Sequence, residues 1–249
     1  MSSPARAPLP LRVLKVAGVG VVIVLALVAI LTALRTDPPR SPGVMSDAVG
    51  PEHDEPVDDY AARVSDTLAT ADGDRDTARW ALVSLTDPWS VAEAADVVRD
   101  LPRVSRMFVQ VPVDGVAMPV TGATLPEPIA GDSGRGEVFD RGLRQVSAVL
   151  GAGTAPTDRA GENVAGEGRA AAVASLTVSR IRASDPAIIG LLARGTSEQL
   201  RVVAEHPRVR AVEALPPDAV WGRFAIRPLL PQQTEVASPL PDTAPVPAG

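Results

Sequence analysis

The sequence predicts an α/β (α+β) protein in which a single N-terminal transmembrane helix precedes one domain made of two βαβ units with a long insertion. Three observations predict it. Nineteen consecutive uncharged residues run from Val16 to Leu34. A strand, a capped helix and a second strand follow one another twice, around Ser90 and around Thr196. In both copies the helix runs into a proline followed by Arg-Val, at Pro102-Arg103-Val104 and at Pro207-Arg208-Val209.

The uncharged run, VAGVGVVIVLALVAILTAL, spans about 28 Å at 1.5 Å per residue, close to the ~30 Å hydrocarbon core of a bilayer. It lacks the polar stripe of a core helix. It exceeds the apolar stretch of a signal peptide, and its exit, Ile30-Leu31-Thr32-Ala33-Leu34, lacks an A-x-A pattern. Residues 16–34 are therefore expected to be an uncleaved anchor, with the lipid bilayer as their partner. Arg6, Arg12 and Lys15 precede it without an acidic residue among them, whereas Arg35 and Arg40 follow it. This bias predicts a cytoplasmic tail over 1–15, a single pass through the cell membrane, and the bulk of the chain on the extracytoplasmic side. Gly18 and Gly20 lack GxxxG spacing, so helix pairing in the membrane is not indicated.

Five prolines fall between Asp37 and Pro56, and no apolar period survives there. Residues 35–57 read as a solvated tether. Six prolines between Arg227 and Gly249 make residues 228–249 a disordered tail by composition. The folded part is then 58–227, long enough to bury most of its unfolded surface in one core.

Within it, Asp58-Asp59 opens a helix whose Tyr60, Val64 and Leu68 recur at helical spacing. In the first unit Ala78 to Leu85 is a strand, and Ser90 with Glu93 has capping-box spacing. The helix buries Val91, Ala94, Ala95 and Val98, and the strand RMFVQVPV follows. In the second unit the parts are Ala187 to Gly195, Thr196 with Gln199, Leu200, Val203 and Ala204, and RAVEALP. Two such units predict the split βαβ, ferredoxin-like plan. Val113-Asp114-Gly115-Val116 reads as a type I′ hairpin turn. In the insertion, Glu137 to Leu150 is a helix. Ala174 to Ser179 alternates and reads as a strand, although the alanines before it also permit a helix. Two Gly/Pro-rich loops, 119–136 and 151–168, flank the 137–150 helix.

The stretch LRVVAEHPRVRAVEALP, Leu200 to Pro216, resembles the helix-to-strand passage of the inhibitor-like propeptide domains of subtilisin-type proteases. Those domains share the ferredoxin-like plan, so over these 17 residues the resemblance implies fold and no activity. The order of parts is also similar to that of bacterial septal division proteins, an order shared with many unrelated membrane proteins.

Composition closes several chemistries. The chain has no cysteine, two histidines and 3% aromatics, with Lys+Arg 24 against Asp+Glu 30 for a net charge of -6. Disulfides, thiol nucleophiles and cysteine-ligated metals are excluded, and no cofactor, metal site or nucleic-acid partner is expected. His53 sits in the acidic linker and His206 at a helix end before a proline, neither placed as a general base. The Gly-rich stretches 151–154 and 161–168 lack the G-K-[ST] ending of a phosphate loop.

No catalytic residue is assigned. Three residues are candidates for interaction: Trp89, between Pro88 and the cap, and Arg103 and Arg208, in equivalent places of the two units and able to pair on an anion. The expected role is binding or scaffolding at the cell envelope with an envelope protein as partner, and an exposed apolar patch at Trp89 or Met107/Phe108 would support it. Two alternatives stand. One is an envelope glycan hydrolase using Glu127, Asp132, Glu137 and Asp140, which requires two carboxyls across a cleft. The other is a sensor domain binding a small ligand between the two βαβ units, which requires an apolar pocket of several hundred Å³.

Overall fold

The structure, a computed structural model, describes residues 47–69, 77–126, 134–153 and 164–248. The expected anchor at 16–34 and the greater part of the tether lie outside the described residues. Among the described residues no helix is long and apolar enough to cross a membrane.

The chain is a mixed α/β protein. Its strands are β1 (Asp47–Val49), β2 (Arg79–Trp89), β3 (Arg103–Val109), β4 (Thr121–Thr124), β5 (Ile188–Gly195), β6 (Val209–Ala214) and β7 (Phe224–Ile226). Its helices are α1 (Val57–Ala69), α2 (Val91–Val97), α3 (Arg135–Gly153), α4 (Val164–Arg182) and α5 (Ser197–Ala204). Five strands form one sheet in the order β4-β3-β5-β2-β6, with every neighbouring pair antiparallel. β2 and β3 are thus mutually parallel with β5 between them, and β5 and β6 are parallel with β2 between them. Each strand–helix–strand unit skips one place in the sheet, and the other unit fills it.

Both crossover helices start where the sequence places them. The Ser90 hydroxyl accepts from the Glu93 amide while the Glu93 carboxylate accepts from the Ser90 amide, and Thr196 and Gln199 do the same for α5. Each box satisfies two of the donors that a helix start leaves unpaired. Alternation along β2 then sorts its side chains. Ala81, Val83 and Leu85 face the helices and join Val98, Phe139, Leu176, Leu191 and Leu200 in the main core. Trp80 and Leu82 face the other side, with Phe108, Ile189 and Leu192. At roughly 25 cal/mol per Å² of apolar area, both faces must be covered for the sheet to be stable.

The second face is covered by the two ends of the described chain. β1 and β7 pair in parallel and bring Val49 and Phe224 onto Leu82, Leu192 and their neighbours. α1 lies along β6, with Val57, Tyr60 and Val64 packed with Ala211, Leu229 and Ala237. The Thr67 hydroxyl accepts from the Ala214 amide at 3.0 Å, occupying a donor on the sheet edge.

Four sequence expectations are corrected. Residues 174–179 are helix, inside α4: Val173, Leu176, Thr177 and Ile181 are buried together at helical spacing, and the Thr177 hydroxyl donates back to the Val173 carbonyl at 2.9 Å. Alanines at 170–172 favour that helix, and the apparent period of two was only Ala174, Leu176 and Val178 alternating with Ser175, Thr177 and Ser179. The Asp114-Gly115 turn closes with Val116 N–H on the Val113 carbonyl, but only Gly115 has positive φ and only one isolated bridge flanks it. It is neither a type I′ turn nor the tip of a ladder.

The tail is not disordered over its described length. Leu229 and Ala237 are buried, Arg210 donates to the carbonyls of Leu230 and Gln233, and Pro56 bridges Val236. Farther on, Asp242 pairs with Arg169, and the amides of Thr243 and Ala244 donate to Gly115. The tether correspondingly ends early, because β1 and the half-turn to Pro56 belong to the domain. Prolines suit such a laid-down coil, since each lacks a donor that would otherwise need a partner.

Candidate functional site

The described surface contains a cleft of about 780 Å³ where β2 runs into α2. Trp89, the last residue of β2, forms its floor with Ser90, Val91 and Ala92 from the start of α2. A stripe along α3 at helical spacing (Gly136, Asp140, Leu143, Arg144, Ser147, Ala148) forms one wall, and the end of α4 (Ile181, Arg182) with Ser184 and Asp185 forms the other. Such a volume falls within the ~300–1,000 Å³ of small-molecule sites.

The walls are held by local structure. α4 ends on Ser184, at φ 62, with the Ser184 amide donating to the Ile181 carbonyl and the Asp185 amide to the Arg180 carbonyl. That is the Schellman arrangement with serine where glycine is usual. Arg180 then pairs with Asp185 at 3.1 Å. α3 approaches the sheet closely because Gly142 lacks a side chain: a Cβ there would lie 2.8 Å from both Leu125 Cδ2 and Met107 Cε.

Trp89 is fully buried, and its ring is fixed from the sheet side. His206 meets it edge-on at 5.2 Å, and the Arg208 guanidinium lies 5.4 Å from its centroid. Arg208 is itself held by Asp87 and Glu93, and hydrogen bonds to these two acids raise its pKa. The Ser90 amide and hydroxyl, with Arg208, hold the Glu93 carboxyl at about 2, below its ordinary 4.5. Arg208 is thus a strut linking the cap of α2, β2 and the indole.

This carries a pH dependence. Glu93 has a lower pKa folded than unfolded, so its contribution is complete above about pH 5 and is lost as pH falls from about 4.5 towards 2. With the side chain partly exposed, the effect is modest. Urea midpoints of the wild type and Glu93→Gln should differ at neutral pH and converge across that acid window.

Two buried polar atoms of this region have no hydrogen-bond partner: the Trp89 Nε1–H and the Ser147 Oγ. Asp140, Arg144 and Arg182 carry exposed charges for which no ion pair is formed among the described residues. The cleft therefore combines apolar lining with exposed charges on its walls.

The three candidates from the sequence do not form one site. Arg103 faces Arg194 across β3 and β5, and Arg194 faces Trp80 at the start of β2, whereas Val209, next to Arg208, faces Leu85 near its far end. The two arginines sit at opposite ends of the sheet and cannot share an anion. Arg103 donates to Ser105 Oγ at 2.6 Å and lies over the Trp80 ring. Trp89 is at the cleft, but at 1% exposure it offers no surface patch, and Met107 and Phe108 are buried as well.

Of the acids considered for hydrolysis, Glu127 and Asp132 lie outside the described residues. Asp140 reaches the cleft, and the other carboxylate there, Asp185, is engaged with Arg180. Among the described residues no three His, Asp or Glu side chains group to hold a metal ion. His53 pairs with Asp54 at the surface, and His206 Nδ1 accepts the Arg208 amide at 3.3 Å. Sequence reasoning missed Arg144, Ser147 and Arg182. The first two were signalled by the spacing 140, 143/144, 147 along one helix face, while Arg182 required α4 to be read as a helix.

No protein-family model, curated protein sequence or solved structure matches the chain.

Proposed function

We propose that the chain is a single-pass membrane protein, anchored through residues 16–34, whose extracytoplasmic domain of ferredoxin-like plan is a small-ligand binding module at the cell envelope and carries out no covalent chemistry. The observation that supports this reading is the cleft of about 780 Å³, with Trp89, Leu143 and Ile181 as apolar lining and Arg144 and Arg182 on its walls. The interleaved strand order β3-β5-β2-β6 with α2 and α5 as crossovers supports the fold assignment. A scaffold that docks an envelope protein would present an apolar patch, and the residues expected to form one are buried.

The test is thermal unfolding of the full-length protein in nanodiscs, titrated with small-molecule fractions of envelope extract. A ligand at 100 times its Kd stabilises by about 2.7 kcal/mol, which raises Tm by roughly 5–10 °C for a domain of this size. The rise should saturate and should vanish in Leu143→Trp, which fills the cleft. If no fraction shifts Tm while crosslinking in cells captures one protein through residues 58–227, the domain is a scaffold instead.

A further inference from the structure

The charged groups of the cleft also specify a ligand class. Resting on the reading of the cleft as a binding site, we infer that it takes an amphipathic monocarboxylate: one carboxylate on an apolar body. A guanidinium donates and has no acceptor. Arg144 and Arg182, exposed on the cleft walls, therefore call for acceptor atoms, which a ligand would supply.

The charge count fixes how many negative charges fit. Asp185 is neutralised by Arg180, which leaves two guanidinium groups against the single carboxylate of Asp140. One net positive charge matches a monoanion, and Asp140 repels a second negative charge. Nucleotides and phosphate dianions are disfavoured on that ground, and arginine pairs with a planar carboxylate in a bidentate fork. The rest of the ligand must be apolar, because Leu143, Ile181 and the Trp89 ring supply the remaining walls. A simple chain acid and the free C-terminus of a short apolar peptide share this chemistry.

The experiment is isothermal titration of the full-length protein in nanodiscs, with empty nanodiscs as the blank, against three probes: 4-phenylbutanoate, its uncharged amide, and N-acetyl-leucyl-leucine. The carboxylates should bind saturably and the amide at least tenfold more weakly. Arg144→Gln and Arg182→Gln should each weaken the carboxylates about tenfold and leave the amide unchanged, an internal control that the cleft is still folded. Tighter binding of phenylbutanoate assigns a chain acid, and tighter binding of the peptide assigns a peptide end; either result supports the inference. If the amide binds as well as the acid, the carboxylate inference is overturned while the cleft reading stands. If none of the three binds, both fall.

Discussion

Replacing Glu213 with alanine is expected to cost about 3–5 kcal/mol. Glu213 projects from β6 and is 3% exposed. Its carboxylate accepts from the Gly50 amide at 2.5 Å, the Tyr60 hydroxyl at 3.1 Å and Arg63 Nη1 at 2.7 Å. Arg63 also binds Glu55 and the Gly50 carbonyl, so one buried acid ties the sheet to β1, to the following turn and to α1. Removing it leaves a buried phenol and a backbone amide without an acceptor and a cation with half its partners. Tyr60 does not compensate by ionising, because burial raises its hydroxyl above the usual phenol range even without the Glu213 charge. Urea unfolding should show the loss, and hydrogen exchange should show it concentrated in residues 47–69. A loss under about 1 kcal/mol would mean that the charge is not structural.

Gly50→Ala is expected to release the same segment by a different route. Gly50 has φ +105, where side chains are strained, and a Cβ there would lie 1.6 Å from the Arg227 carbonyl oxygen. No rotamer relieves that clash, because both atoms are fixed to backbone. Arg227 N–H donates to the Val49 carbonyl at 2.8 Å, so the pairing of β1 with β7 must open to admit a methyl group. Strain of this kind is worth about 1–3 kcal/mol before the lost pairing is counted. A total of about 3 kcal/mol is the expected outcome, with faster proteolytic cleavage between residues 47 and 57. Protection in β2 and β5 should stay unchanged, and its loss would show that the two faces of the sheet unfold together.

How far the sequence could be read depended on whether the decisive contacts were local. Ser90 with Glu93 and Thr196 with Gln199 are three residues apart, so their boxes were visible and fixed both crossover helices. From them the βαβ units followed. The end of β2 was set too early, at Leu85, because Pro88 and the cap suggested a strand already ended, whereas β2 continues until Trp89 pairs with Ile188. The tail was invisible because the bonds that seat it, such as Val57 N–H to the Glu235 carbonyl, join backbone groups far apart in the chain. Composition reports what a segment can bury by itself, not which backbone donors elsewhere await an acceptor. The cleft was legible in part: Asp140 stood in the acidic set, yet its meeting with Trp89 and Arg182 depends on three elements converging.

The pairing of the first strand with the last has a consequence for how the protein is made. Arg227 and Pro51, joined by a hydrogen bond, are 176 positions apart. At about 5–20 residues per second of synthesis, β1 waits roughly 9–35 s for β7 to emerge. Over the last seconds of that interval β2, β3 and β5 are complete, yet Leu82, Ile189 and Leu192 have no cover on their outer side. The nascent chain is then a client for holding factors. A product that terminates before Phe224 keeps the strands of its main sheet but never acquires their lid, so premature termination yields a sticky fragment, not a smaller working domain.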